Sequence, residues 1–181
     1  MRRIAVVIPY FQRETGILAG AVRSIAGQLL PWPATVDLII VDDSSPVSPG
    51  SELANLSLPQ WLSARIVRQT NAGPGAARNR GLDHVDPQAD FIAFLDSDDS
   101  WAPCHLQEGI DALELGHDFY FCDSAMPPST LFASRDLFVS GDSEPVFAPI
   151  VPAGGLYHFL PGQAGAPMVA DYPVSYTHLT L

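Results

Sequence analysis

The 181-residue sequence contains no lysine: all nine basic residues are arginine, set against 20 Asp and Glu for a formal net charge of -11. So few cations make nucleic acid and anionic membrane surfaces poor partners, because both are bound through Lys and Arg set against phosphate. The phosphate loop of P-loop NTPases, which ends in Gly-Lys, is excluded outright. Cysteine is also scarce. Cys104 and Cys122 show neither CxxC spacing nor a His pattern suited to zinc, which fits small buried thiols in a reducing, cytoplasmic compartment. Long apolar runs are missing too: the run Ile4–Ile8 is cut by Pro9 and then meets Arg13. It is too short for a signal core or a membrane span, which needs about 18 apolar residues or more.

What is present is an ordinary globular composition, 47% hydrophobic and 16% charged. One domain of this size buries roughly 70% of the surface its unfolded chain exposes. The apolar run at 4–8 predicts a buried strand ended by Pro9. Ile17, Leu18, Ala21, Val22, Ile25 and Leu29 recur at helical spacing, predicting a helix over about 14–28 that Pro31 and Pro33 terminate. VDLIIV at 36–41 predicts a second strand, followed by a Ser/Pro-rich loop, and RIV at 65–67 a third. A helix from Gly73-Pro74, a strand at 91–95, a helix over about 103–115 and a strand at 119–122 complete the alternation. Strands apolar on both faces, alternating with amphipathic helices, predict an α/β fold. Its mostly parallel sheet has helices on both faces and ligands along the C-terminal strand edge. Beyond residue 125 the pattern decays, with eight of the 17 prolines there. A stretch this long without elements is unusual inside a compact domain, which predicts an incomplete C-terminal part.

Four segments carry chemistry. Pro9-Tyr10-Phe11-Gln12-Arg13 follows the first strand, and its aromatics suit either a flat base or the core. Asp42 and Asp43 leave the second strand, where two adjacent carboxylates repel unless a donor or cation is shared; turn capping is the simpler role for Asp43. In Asn71-Ala-Gly73-Pro-Gly75-Ala-Ala-Arg78 the amides of a helix N-terminus, with Arg78 one turn in, suit a diphosphate. A simple helix cap is the alternative, and the dinucleotide GxGxxG fingerprint is not met. Asp96, Asp98 and Asp99, in DxD spacing, directly follow the apolar strand FIAFL. Carboxylates crowded at a strand end want a positive partner, and a hard divalent cation carrying diphosphate oxygens supplies one. The five histidines lack metal-ligand spacing, and Trp101 reads as packing for this loop.

The ordered set VVIPYFQR, LIIVDDSS, NAGPGAARNRG and FIAFLDSDDSW, over about residues 3–123, resembles the nucleotide-binding half of family 2 glycosyltransferases. That resemblance implies a GT-A, Rossmann-like fold and an inverting transfer of sugar from a nucleotide-diphosphate sugar, a UDP-sugar first, to a hydroxyl of a glycan or small-molecule acceptor. It implies Pro9 and Phe11 beside the base, Asp42 on the imide N–H of a uracil-like base, and Arg78 by the diphosphate. Asp96 or Asp98 would lie near the ribose, and Asp98 or Asp99 on Mn²⁺ or Mg²⁺. Gln12 stands where the family usually shows Asn. The family's later acidic catalytic segment has no clear counterpart, and Asp142, Glu144 and Asp171 lack its context. The expected organisation is a nucleotide-sugar-binding subdomain over 1–125, an irregular start of the acceptor side over 126–173 and a non-native tail at 174–181. A chain so organised binds donor without transferring it, and the complete protein is cytoplasmic or membrane-associated. The rival is a non-catalytic nucleotide-sugar-binding module, since every recognised motif concerns the donor. A phosphoacceptor receiver domain shares the acidic pair but requires a Lys, and the GxSxG elbow of a serine hydrolase is missing.

Overall fold

The structure, a computed structural model, describes residues 1–116 and 119–121 together with three short strands at 147–149, 157–159 and 178–180. In chain order the elements are β1 (Arg2–Tyr10), α1 (Ile17–Ala26), β2 (Ala34–Asp42), α2 (Pro49–Leu53), β3 (Leu62–Arg68), α3 (Pro74–Leu82), β4 (Phe91–Phe94) and α4 (His105–Glu114). They continue with β5 (Phe119–Phe121), β6 (Phe147–Pro149), β7 (Tyr157–Phe159) and β8 (His178–Thr180). The chain divides into two compact units, Met1–Phe119 with Tyr176–Leu181, and Tyr120–Ser175. In the first, strands run β3-β2-β1-β4-β8. The first four are mutually parallel, and β8 joins β4 antiparallel through Ile92↔Thr180 and Phe94↔His178. In the second, β6 and β7 pair antiparallel. The rest of 126–173 lies outside the described residues.

The sheet follows from the burial its sequence demands. Every residue from Ile4 to Tyr10 is buried, as are Val36 and Leu38 through Asp43. A strand buries successive side chains only when both faces of the sheet are covered. The chain moves outward from β1 through β2 to β3 and then returns to β4 on the other side of β1. Right-handed crossovers therefore put α1 and α2 on one face and α3 on the other. α3 packs closely on Val7, Ile39 and Val41 through Ala77. At Gly81 a Cβ would stand 2.3 Å from Val7 Cγ1, so only glycine permits this approach. The reversal between β1 and β4 is a topological switch point, the place at which open α/β sheets bind ligands beyond their strand C-termini.

Expected and observed elements agree closely, and the differences have local causes. α1 starts at Ile17 rather than near Glu14 because Gly16 sits at φ 91° and cannot continue a right-handed helix. β2 and β3 extend beyond their apolar runs because ladder pairs such as Arg2↔Ala34 and Val36↔Leu62 continue there. The Ser/Pro-rich loop contains the short helix α2, with Pro49 at its first position and Glu52 in its first turn.

Candidate functional site

The site is built at the C-terminal ends of β1, β2 and β4. Tyr10 and Asp42 are register partners at the last ladder position of β1 and β2. Asp42 is only 8% exposed. Its Oδ1 accepts the Ser45 amide at 2.9 Å, and the Arg68 Nε lies 3.7 Å from Oδ2. Asp43 is buried and saturated: it accepts the amides of Ala72 (2.8 Å) and Gly73 (2.9 Å) and the side-chain amide of Gln69 (2.7 Å). Asp43 thereby pins the loop that opens α3, whereas the turn after β2, expected to be capped by Asp43, is closed by Asp42 through the Ser45 amide. Ser44, between these anchors, takes φ 59°, a left-handed conformation uncommon outside glycine.

Phe11 projects at the rim, 42% exposed, with the Arg13 guanidinium 6.0 Å from its ring centroid. Pro9 is buried within β1. Tyr10 turns inward: its hydroxyl donates to Glu52 Oε1 at 2.9 Å, and Glu52 Oε2 accepts the Ala19 amide of α1 at 3.3 Å. Burial, then the hydrogen bond and negative charge of Glu52, push the Tyr10 pKa well above its usual 10. The phenol is thus a fixed donor, and a buried carboxylate ties β1, α1 and α2 beneath the rim.

At the β4 edge, the Leu95 amide still donates to Val7 O, and the chain then turns with Asp99 N on Asp96 O at 3.1 Å. Arg78 Nη2 meets Asp96 Oδ1 at 2.5 Å, both side chains half-buried. The structure therefore brings Arg78, expected by a diphosphate, together with Asp96, expected by a ribose. Asp98 is exposed and Asp99 half-buried. Ser97, between the acids, is buried and accepts the Gln12 side-chain amide at 2.9 Å. Gln12 is itself locked to Ser45: its amide donates to Ser45 Oγ at 2.7 Å, and that hydroxyl donates back to Gln12 O at 2.9 Å.

Among the described residues no group of three or more His, Cys, Asp or Glu side chains is arranged to hold a metal ion on protein ligands alone. The donors available at the β4 edge are carboxylate oxygens. Mg²⁺ and Mn²⁺ are commonly held by one or two carboxylates plus phosphate oxygens of the substrate. Among the described residues the carboxylates of this edge form no protein cage that holds a cation by itself.

Sequence reasoning singled out Pro9, Phe11, Asp42, Arg78, Asp96, Asp98 and Asp99, all of which lie at these strand ends or, for Arg78, on α3. It missed Glu52, Ser45 and Ser97. Only Glu52 had a local signal, as the acid in the first turn of a Pro-started helix. Asp142, Glu144, Asp171 and Cys122 lie outside the described residues. Trp101 is buried and stacks on His105, their centroids 4.6 Å apart, which agrees with a packing role. No helix among the described residues is long and apolar enough to cross a membrane.

Several known proteins resemble this chain. A family profile described as Glycosyl transferase family 2 matches residues 5–132. The succinoglycan biosynthesis protein ExoW of Rhizobium meliloti (strain 1021) is 46% identical over 106 residues, 59% of this chain and 32% of that protein. The minor teichoic acid biosynthesis protein GgaA of Bacillus subtilis (strain 168) is 32% identical over 120 residues, 66% of this chain and 25% of that protein. The chain thus spans about a third or less of the length of these two relatives. Among solved structures, S. aureus TarS 1-349 in complex with UDP-GlcNAc superposes with a TM-score of 0.52 at 25% identity, covering 66% of this chain and 33% of that one. The mannosyltransferase PcManGT from Pyrobaculum calidifontis, in complex with GDP-Man and Mn²⁺, shares the fold at a TM-score of 0.56 and 20% identity, covering 88% of this chain and 45% of that one.

Proposed function

Since the chain belongs to glycosyl transferase family 2, we propose that the C-terminal edge of its sheet binds a nucleotide-diphosphate sugar, a UDP-sugar in particular, with a divalent cation. The whole protein then passes that sugar, with inversion, to a hydroxyl of a growing surface polysaccharide. The observation that carries this reading is the convergence of Asp42, Asp96 and Arg78 on one edge of a sheet at its switch point. The TarS complex supports a uridine nucleotide as donor. The names of the two bacterial relatives, biosynthesis proteins of succinoglycan and of minor teichoic acid, support a role in building a sugar-containing polymer. Such donors are cytoplasmic, so the site works on the cytoplasmic side.

In this reading Phe11 lies against the base and Asp42 accepts its imide N–H through Oδ2. Asp42 Oδ1 is already occupied by Ser45, so the carboxylate is oriented before the ligand arrives. Asp96 receives a ribose hydroxyl while holding Arg78, and Arg78 faces the diphosphate with the N-terminal amides of α3. Asp98 and Asp99 hold the cation, whose chemistry is to offset the charge that gathers on the departing diphosphate. The acceptor oxygen attacks the anomeric carbon, the carbon–oxygen bond to the diphosphate breaks, and the acceptor proton passes to a carboxylate base in the whole protein. No described residue is given that last role.

Calorimetry with UDP, with Mn²⁺ or Mg²⁺ and with a chelator, tests the donor site. Metal should be required for appreciable affinity, and Asp98→Asn should cost about 1.5–3 kcal/mol of metal-dependent binding, the range for a charge-assisted contact. Equal affinity in chelator would remove the metal role from Asp98 and Asp99.

A further inference from the structure

The three loops of the site are joined by a continuous chain of hydrogen bonds whose central member is Gln12. Asp42 Oδ1 holds the Ser45 amide, Ser45 Oγ grips both the amide and the carbonyl of Gln12, and the Gln12 side chain crosses to Ser97. Val47 N adds a second donor to Gln12 O at 3.1 Å. The main chain of Gln12 therefore belongs to the base-side loops, while its side-chain amide reaches the acidic loop. Ser97 has Asp96 on one side and Asp98 on the other and is 5% exposed, so its contact with Gln12 anchors the main chain from which both carboxylates project. Asp96 has its own tie through Arg78. The Asp98 side chain is exposed and has no such tie among the described residues, so its placement rests on the loop that carries it.

We propose that Gln12 is a positioning residue that couples base recognition to the metal–diphosphate end of the site, by fixing Ser97 and hence Asp98 relative to the loop that carries Asp42. This rests on the donor-site reading above. Its physical content is a division of labour within one side chain. Removing the Gln12 amide leaves the Ser45 lock on the main chain intact, so the base side keeps its shape while the acidic loop loses its tie to that side and keeps only its own turn and the Arg78–Asp96 pair. Supporting hydrogen bonds of this kind act by holding charged groups in the geometry the ligand needs.

The test compares wild type, Gln12→Ala, Ser97→Ala and the double variant of the full chain, titrated with Mg²⁺·UDP and separately with uridine. Gln12→Ala should weaken Mg²⁺·UDP about three- to tenfold, the worth of one net hydrogen bond, and leave uridine affinity within about twofold. Ser97→Ala should do the same, and the double variant should be no weaker than either single one, because the two changes break one contact. Equal losses for uridine and Mg²⁺·UDP would make Gln12 a support of the base loop and overturn the coupling. Fully additive losses would overturn it as well. A wild type that binds neither ligand overturns the donor-site reading itself, and a wild type that binds both while Gln12→Ala is silent overturns only the role of Gln12.

Discussion

Trp101, in the segment before α4, and His105, the first residue of that helix, stack with nearly parallel rings and almost no exposure. An imidazole in that position has lost the water that would solvate its cation, and burial lowers its pKa from 6.5 to about 4. The consequence for stability has a definite sign. Above pH 6.5 the ring is neutral in the folded and the unfolded chain, and the neutral stack contributes in full. Between 6.5 and 4 the unfolded chain takes up a proton that the folded one refuses, so stability falls across that window. A shift of this size corresponds to about 3 kcal/mol at about 1.4 kcal/mol per pH unit. Urea denaturation from pH 7.5 to 4 should therefore show a steeper loss for wild type than for His105→Phe, which keeps a stacked ring and cannot titrate. Parallel curves for the two proteins would mean that acid acts elsewhere.

The elements themselves were mostly legible in the sequence because burial on both faces writes an unbroken apolar run such as VDLIIV. The helices α1 and α4 likewise announce themselves by a one-sided stripe. α2 was not legible: five residues are too few for a period to appear, and its only marks are Pro49 and Glu52. The same contrast holds in the site. Asp42 and Asp96 could be found because a carboxylate ending an apolar strand is conspicuous, whereas the contacts that join their loops are distant in sequence. The link between the Ser45 and Ser97 loops appears only through Gln12, 33 and 85 positions away. Gln28 is a parallel case: read as the end of a helix, it caps α4 instead, accepting the Leu106 amide and donating to Ala102 O. Glycine separates the two kinds of constraint. Gly81→Ala would drive a methyl group into Val7 and Val41, whose branched side chains are fixed at the sheet surface, and should destabilise by about 1–3 kcal/mol through overpacking. Gly20 is exposed in the middle of α1, where an added methyl group would meet nothing within 4 Å, and Gly20→Ala should stabilise by about 0.5–1 kcal/mol. Thermal or urea unfolding of the two variants checks both. A Gly81→Ala protein as stable as wild type would mean that α3 sits less tightly on the sheet than it does here.

On the scale of the whole molecule, the excess of acid shapes how an anionic ligand approaches. The net charge is -11, and two of the three arginines nearest the site are already engaged, Arg78 by Asp96 and Arg68 by Asp42, with Arg13 beside Phe11 at the rim. Arg2 and Arg65, away from the site, are held by Glu114 and Asp37. A nucleoside diphosphate without metal therefore meets a repulsive field with few cations left to answer it. Screening weakens that field, since the Debye length falls from about 30 Å at 0.01 M salt to about 8 Å at 0.15 M. Added salt should accordingly raise the association rate of metal-free UDP, by about two- to fivefold between 0.01 and 0.15 M. The same addition should change the rate for Mg²⁺·UDP less, because the bound cation has removed part of the ligand's charge, and should leave uridine nearly unaffected. Stopped-flow measurements with the three ligands separate these cases. If metal-free UDP instead binds more slowly as salt is added, the local field at the strand ends is attractive, Arg78 and Arg68 are available to phosphate despite their carboxylate partners, and the cation is not what brings the donor to this site.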